Sequence, residues 1–361
     1  MNLADSQKLI HQTEYAKKLR PLLPPEAFLP DSSKLVILLI NVAILILGWS
    51  IARQLDRWPL YLLWLYLPLA VVMGNSVMVL ISGSHDLIHG SVTKNNYLIR
   101  VISLLGLALG WMPPTLWKVL HNRMHHNTTN SLADPDRSYL YEQPKTWAKW
   151  IQNLLVPSDE VNPIGLTLGM ITAWGVYTFR NLTAVLLFNR EVDYVPASFK
   201  VSAKERLGIA GEFLAILTIH VSILTYLQFE PIKLLFSYFL PIAIGYGIWI
   251  FYIYTNHLLC RITSVNDLLL NTISIRVPKL VALLHFNCCY HTEHHIFPGM
   301  NSDYYPMVQD LLKIHYPERF NLLDSGDVWR LLMQTPRYYK DENTFTNWLG
   351  EKTVSCPLNR M

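Results

Sequence analysis

Charge is scarce in this chain. Asp, Glu, Lys and Arg supply only 16% of its 361 residues, well short of the quarter or so that a soluble domain carries. That deficit points to lipid rather than water as the main solvent. Cysteine is scarcer still, with only Cys260, Cys288, Cys289 and Cys356. They are irregularly spaced and form no C-x-x-C pair, which excludes a disulfide framework and a thiolate zinc site. Runs of like charge are missing too. The net +4 is spread along the chain, which suits anionic lipid head groups and leaves nucleic acid without a binding surface. No G-x-G-x-x-G fingerprint is present to hold a dinucleotide, and there is no internal repeat or low-complexity tract. The first thirty residues are polar, with Lys17, Lys18 and Arg20 beside Pro21, Pro24 and Pro25, and do not read as a secretory signal.

What the chain has instead is apolar length, 51% of it being hydrophobic. Crossing a hydrocarbon core of about 30 Å takes about twenty residues of helix. Segments 35–52, 59–82, 207–227 and 232–259 are apolar for long enough. They form two hairpins with short turns at 53–58 and 228–231, whereas the region 83–206 between the hairpins is long and holds many of the Lys, Arg and Pro residues. Both termini and that middle region should therefore share one side, and the positive-inside rule makes it cytoplasmic, although Arg53 and Arg57 lie in the first turn. Two further apolar stretches, 98–113 and 165–188, are short or interrupted by Arg180 and Asn181, and read as interfacial or re-entrant helices. The expected fold is all-α and integral to the membrane, multi-pass, with four transmembrane helices in two hairpins, interfacial helices and a cytoplasmic cap. Its expected parts are a cytoplasmic N-terminal segment 1–33, a membrane domain 34–317 and a cytoplasmic C-terminal tail 318–361.

Histidine carries the chemistry. Eight of thirteen histidines fall into three compact groups: His85-Asp-Leu-Ile-His89, His121-Asn-Arg-Met-His125-His126 and His291-Thr-Glu-His294-His295. Residues three or four apart share a helix face, so His85 with His89, His121 with His125, and His291 with His294 and His295 can converge on a shared centre. A single histidine is more commonly a hydrogen-bonded core residue, but three repeated groups are hard to explain by packing. All three also fall beyond span ends on one side of the membrane, so they can meet without placing charge at the midplane. Imidazole suits iron, zinc, copper and nickel alike. Eight donors exceed the three or four that a zinc ion commonly uses, whereas two adjacent metals could take all of them, and two redox-active metals imply dioxygen chemistry.

At these residues the sequence resembles the membrane fatty-acid desaturase superfamily, whose signature is three such boxes in this order and topology. The similarity extends to Asp134-Pro135-Asp136, Phe286-Asn287, Glu293 and Ile296-Phe297-Pro298, and spans about 59–316. It implies two non-haem iron ions and an O2-dependent reaction on a long apolar substrate, with electrons from a separate ferredoxin or cytochrome b5. A separate donor agrees with the lack of a His-Pro-Gly-Gly haem segment in this chain. The resemblance also carries His257 into the ligand set, in Thr255-Asn256-His257-Leu258-Leu259. Three residues separate the histidines of the first box, against four in stearoyl-type animal enzymes, and the third box opens with histidine where fused front-end enzymes have glutamine. Both departures favour an acyl-lipid, sphingolipid or carotenoid-type relative.

The remaining polar groups have plainer roles. Metal-bound imidazoles usually donate their other N–H to a carboxylate or carbonyl, which makes Asp86, Asp134, Asp136 and Glu293 candidate acceptors, with Asn287 beside them and His285 as an outer group. His220 and Glu212 lie inside the third span and are functional candidates by position or a packing pair. His11 and His315 read as surface residues. Trp58, Trp64, Trp111, Trp117 and Trp249 either line a substrate tunnel or form the interfacial belt that is the commoner use of tryptophan. The resulting expectation is O2-dependent desaturation of a fatty acyl chain. A hydroxylase or ketolase acting on a carotenoid, sterol or alkane would use the same centre. A zinc-dependent membrane hydrolase would need H-E-x-x-H, which is absent, and a metal transporter would place its ligands within the spans.

Overall fold

Helix dominates the computed structural model, which describes residues 8–136, 157–189, 199–347 and 349–358. The first seven and last three residues, part of the expected terminal segments, lie outside the described residues. Four helices are long and apolar enough to cross a membrane: Lys34–Arg57, Leu60–His89, Ala203–Tyr226 and Pro231–His257. The protein is thus a mostly helical integral membrane protein, and the four spans fall where hydropathy places them.

Helix α1 (Gln12–Leu19) precedes α2 (Lys34–Ala52), and a short 3-10 stretch leads into α3 (Leu67–His89). Next come α4 (Asn96–Ala108), the π-helical α5 (Lys118–His125), α6 (Pro163–Thr183), α7 (Ala203–Tyr226) and α8 (Leu240–His257). Beyond the last span lie α9 (His291–Ile296), α10 (Tyr305–His315) and α11 (Ser325–Gln334). At thirteen residues, α4 is too short to cross, as its sequence implies. Helix α6 packs along α8 but is not among the four spanning helices. The ends of these helices are written locally. Asn95 accepts from the backbone N–H groups of Tyr97 and Leu98 at the start of α4. Ser202 and Glu205 form a reciprocal capping box at the start of α7. Gly90, at φ 74°, supplies the left-handed residue that stops α3 directly after His89.

The second and fourth spans cross closely because both present glycine there. A Cβ on Gly74 would lie 2.6 Å from the Ile244 side chain, and one on Gly245 would lie 2.7 Å from Val77. Small residues at such crossings let helix backbones approach in lipid, where the hydrophobic effect does not drive helices together. At the end of the bundle away from the histidines, Lys233 is 1% exposed and pairs with Asp56 from the first interhelical turn and with Gln228 from the second. Outward faces are apolar and uncovered, including Leu39 at 60%, Val71 at 54% and Leu214 at 62% exposure, as a lipid-facing surface requires.

The chain beyond the spans closes over the histidine end and contains small sheets that helical periodicity does not foretell. Strand β1 (Ser274–Arg276) pairs in parallel with β2 (Leu322–Asp324), and β3 (Tyr338–Asp341), β4 (Thr344–Thr346) and β5 (Thr353–Ser355) form an antiparallel sheet. This last sheet serves the end of the fourth span. Helix C-termini leave carbonyls without intrahelical partners, and here Arg337 donates to Leu258 O at 2.9 Å while the Tyr339 hydroxyl donates to Cys260 O at 2.6 Å. Helix α1 is pinned over the same end by Tyr15, whose hydroxyl donates to Asp267 at 2.7 Å, and Asp267 is in turn paired with Arg319.

Candidate metal centre

Each histidine group sits where the backbone has little freedom. His85 and His89 occupy the final turns of α3, just ahead of the Gly90 stop. His121 and His125 lie on the π-helical α5, with His126 directly after it. His291, His294 and His295 make up half of the six-residue α9, and His257 ends α8.

The nine histidines converge as two groups. His85, His89, His121, His126 and His294 form one, and His125, His257, His291 and His295 form the other; within each, the candidate ligand atoms all lie within 4.8 Å of one another. The division does not follow the sequence boxes. Spacing alone pairs His121 with His125 and His294 with His291, yet the structure sends the members of each pair to different groups. The π-helix explains the first case. Its hydrogen bonds run five residues back, as the His126 N–H does to His121 O, so residues five apart rather than four come into register. His121 and His126 accordingly meet at 3.0 Å between their Nε2 atoms. In α9, an ordinary α-helix, His291 and His295 meet at 3.1 Å, four residues apart, and His294 turns to the other group, 3.1 Å from His126.

These contacts cannot be a self-sufficient hydrogen-bond network. A carboxylate or carbonyl only accepts, so Nδ1 must carry the proton where it faces one. That is the case for His85 on Asp86 at 3.0 Å, His125 on Asp134 at 3.1 Å and His257 on Asn271 O at 3.1 Å. His294 meets the Tyr305 hydroxyl, which can donate or accept, and His295 meets Thr129 Oγ1, which gives its own proton to His125 O and so accepts. The Nε2 lone pairs of His85, His125 and His257 therefore point inward at other imidazoles, an arrangement suited to cations between them. Ligands at about 2.1 Å from a metal lie about 3.0 Å apart across a right angle and about 3.4 Å apart across a tetrahedral one. The separations of 2.9 to 3.1 Å among His85, His121, His126 and His294 are close to those of adjacent ligands at a right angle, and the 2.6 Å between His257 and His291 in the other group is shorter than either geometry gives. Protonation is disfavoured as well. Burial first, and then the charge of neighbouring imidazoles, holds His121, His126, His294 and His295 well below the usual histidine range, which keeps them neutral and ready to ligate.

Of the expected acceptors, Asp86 accepts from His85 and Asp134 from His125, and Asp136 stands further off at 3.4 Å from His125. Three others differ. Glu293 is buried on the reverse face of α9, where it accepts from the Ser274 hydroxyl and from Gln309 at 3.0 Å. Burial pushes its carboxyl up to about 7. The Asn287 amide donates to Ser302 O at 3.1 Å. His285 belongs to neither group and bonds Tyr252 and Asn75 instead. Within the third span, Glu212 accepts from Thr115 N and Oγ1, and His220 stacks on Trp111 at 3.7 Å while bonding Tyr238 and Ala108 O, so both are tied into packing.

A cavity ends on the histidines. His85, His121, His257 and His294 line it, and its other walls include Trp117, Trp174 and Trp249. The three indoles touch in a ring with centroids 5.4 to 6.0 Å apart, and Trp117 stacks on His121 at 4.8 Å. Trp117 and Trp249 thus line the cavity, whereas Trp64 is 62% exposed at the lipid face. Trp174, Tyr305 and the Asn271 carbonyl are missed by sequence reasoning. Trp174 lies on a helix without a box, and the other two act through single contacts that no periodicity marks.

Residues 62–323 match a family model described as fatty acid desaturase, a stretch that contains both histidine groups. No curated protein matches the chain.

Proposed function

The chain belongs to the fatty acid desaturase family, and from that premise we propose that it is an oxidoreductase that removes two hydrogens from a fatty acyl chain, most directly one carried on a membrane lipid. The observation that carries this reading is the division of nine histidines into two groups, the candidate ligand atoms of each lying within 4.8 Å of one another. Two non-haem iron ions held there would supply the dioxygen chemistry that an unactivated methylene requires. The balanced reaction takes a –CH2–CH2– segment, O2, two electrons and two protons to –CH=CH– and two waters. The electrons come from a separate ferredoxin or cytochrome b5, docking at the histidine end, which this reading places with both termini on the cytoplasmic side. The catalytic unit is 34–317, with 1–33 and 318–361 flanking it.

The chain's own residues have defined tasks. Asp86, Asp134 and the Asn271 carbonyl fix the orientation of His85, His125 and His257 by accepting their Nδ1 protons. The indole ring of Trp117, Trp174 and Trp249 excludes water from the apolar cavity and positions one carbon of a flexible chain beside the histidines, which lowers the entropic part of the barrier.

A second reading, oxygen insertion by a hydroxylase or ketolase, is favoured by one feature. The buried Nε1 atoms of Trp117 and Trp249 have no partner among the described residues, and a substrate that bears oxygen could satisfy them. Feeding defined acyl lipids to the purified protein with a reductant, and weighing the products, separates the two. A loss of two mass units per turnover supports desaturation, and a gain of sixteen or fourteen transfers the assignment to the hydroxylase or the ketolase.

A further inference from the structure

Two cavities meet at one side chain. The first is the pocket that ends on the histidines, and the second is a groove along the outside of α8, bordered by Gly247, Phe251, Val277, Val281 and His285. Tyr252 lines both. Its hydroxyl meets His285 Nδ1 at 2.9 Å, and His285 Nε2 meets Asn75 Oδ1 at 3.1 Å. An amide oxygen only accepts, so Nε2 carries the proton and Nδ1 accepts from Tyr252. The seam between groove and pocket is therefore closed by an aromatic ring and its hydrogen bond to a neutral histidine. Immediately after His285 the backbone passes through two left-handed residues, Phe286 at φ 53° and Asn287 at φ 58°. Non-glycine residues hold that conformation only where the surroundings impose it, and both line the inner pocket.

The groove opens among apolar residues. Leu280, Leu283 and Leu284 on the neighbouring helix Lys279–Leu284 are 68%, 68% and 46% exposed, a cluster that suits hydrocarbon and not water. Tyr252 precedes His257 by five residues and Gly247 precedes Tyr252 by five more, each interval about 8 Å along the helix, so one wall of the groove belongs to the spanning part of α8, and Val277, Val281, His285 and Ser325 from the chain beyond the span form the other. We propose that this groove is a lateral port through which the acyl chain of a bilayer lipid reaches the histidine pocket, with Tyr252 and His285 as its gate. The inference rests on the acyl-lipid reading above and adds the route and the state of the substrate, an intact membrane lipid rather than a soluble carrier.

The test uses the full-length protein in phosphatidylcholine vesicles doped with a lipid that carries a diazirine in its acyl chain. After photolysis, peptide mapping should find adducts on 277–284 and on Phe251. A Cβ added at Gly247 meets nothing within 4 Å, and the same holds for Gly211 in α7, so a side chain can leave the backbone at either place without a clash at its first atom. Gly247→Phe fills the groove and is expected to lower both the adduct yield on 277–284 and the turnover of vesicle lipid about tenfold, as for a plug in an apolar channel one chain wide. Its metal content should match that of the wild type, and Gly211→Phe should behave as the wild type throughout. Adducts that persist in Gly247→Phe, or turnover equal to that of Gly211→Phe, would overturn the port. Adduct yield does not depend on turnover, so labelling that Gly247→Phe abolishes in a wild type without desaturase activity would uphold the port and remove only the acyl-lipid reading.

Discussion

Single side chains decide how tightly the centre is held. Asp134 is 0% exposed and takes the Nδ1 proton of His125. Asp134→Ala should therefore weaken metal retention roughly 10–100-fold, the usual cost of losing such an acceptor, as read by iron remaining after a timed challenge with chelator. Glu293 touches none of the histidines, and Glu293→Gln should leave retention within about twofold of the wild type. Glu293 shows itself through pH instead. Its folded-state value lies above its ordinary one, so the metal-free folded chain binds more protons than the unfolded chain across that interval. The contribution of Glu293 to stability is then full at low pH and is lost as pH rises through about 7. The wild type should lose Tm relative to Glu293→Gln between pH 5 and pH 8 in detergent; a constant difference would refute the assignment. At this scale the eight box histidines stand out in the sequence because they repeat at helical spacing, whereas His257 stands alone and enters only through the family resemblance. The sequence is a poor guide to their partners. Glu293 and Asp86 look equivalent as carboxylates next to box histidines, and only the direction in which each leaves its helix separates them.

Helices and strands set where those side chains can stand. The four spans are legible because lipid demands long apolar runs, and the Gly90 stop and the Ser202 cap are legible as local chemistry. Two features are not. The π-helical α5 has no sequence pattern to mark it, and it places His125 in a different group from His121. The antiparallel sheet near the C-terminus consists of strands of three or four residues, too short for an alternating pattern to declare itself. That sheet matters nonetheless, since Arg337 is 2% exposed and holds the Leu258 carbonyl at the end of α8. Arg337→Ala should cost about 1–3 kcal/mol for each carbonyl left buried without a donor, and should loosen His257, read as a lower Tm together with weaker metal retention. The glycine crossing is stricter. Gly245→Leu, whose Cβ already meets Val77 at 2.7 Å, should lower Tm more than Gly247→Leu, whose Cβ meets nothing within 4 Å. Equal effects would show that the two spans do not cross as described.

For the whole molecule, the account requires one polarity. In the proposed orientation the histidine end, with Lys94 exposed near Gly90, is the cytoplasmic one, and the opposite end carries Arg57, also exposed. A single introduced cysteine should report this in intact cells, where a membrane-impermeant thiol reagent should label Arg57→Cys and spare Lys94→Cys until the membrane is broken. The reverse pattern would invert the topology. At this scale the sequence reveals the membrane class and the gathering of the boxes at one end of the bundle. It does not reveal the shape of the cavity or the ring of Trp117, Trp174 and Trp249 that walls it, because those residues come from three separate segments brought together only by the fold.

The most direct test of the central claim measures metal and product on the same preparation, using the wild type and His294→Ala. About two irons per chain in the wild type, with double bonds introduced into supplied acyl lipids and both lost together in His294→Ala, is the result this account predicts. Zinc in place of iron, or lipids left unchanged by an iron-loaded and reduced wild type, would contradict it.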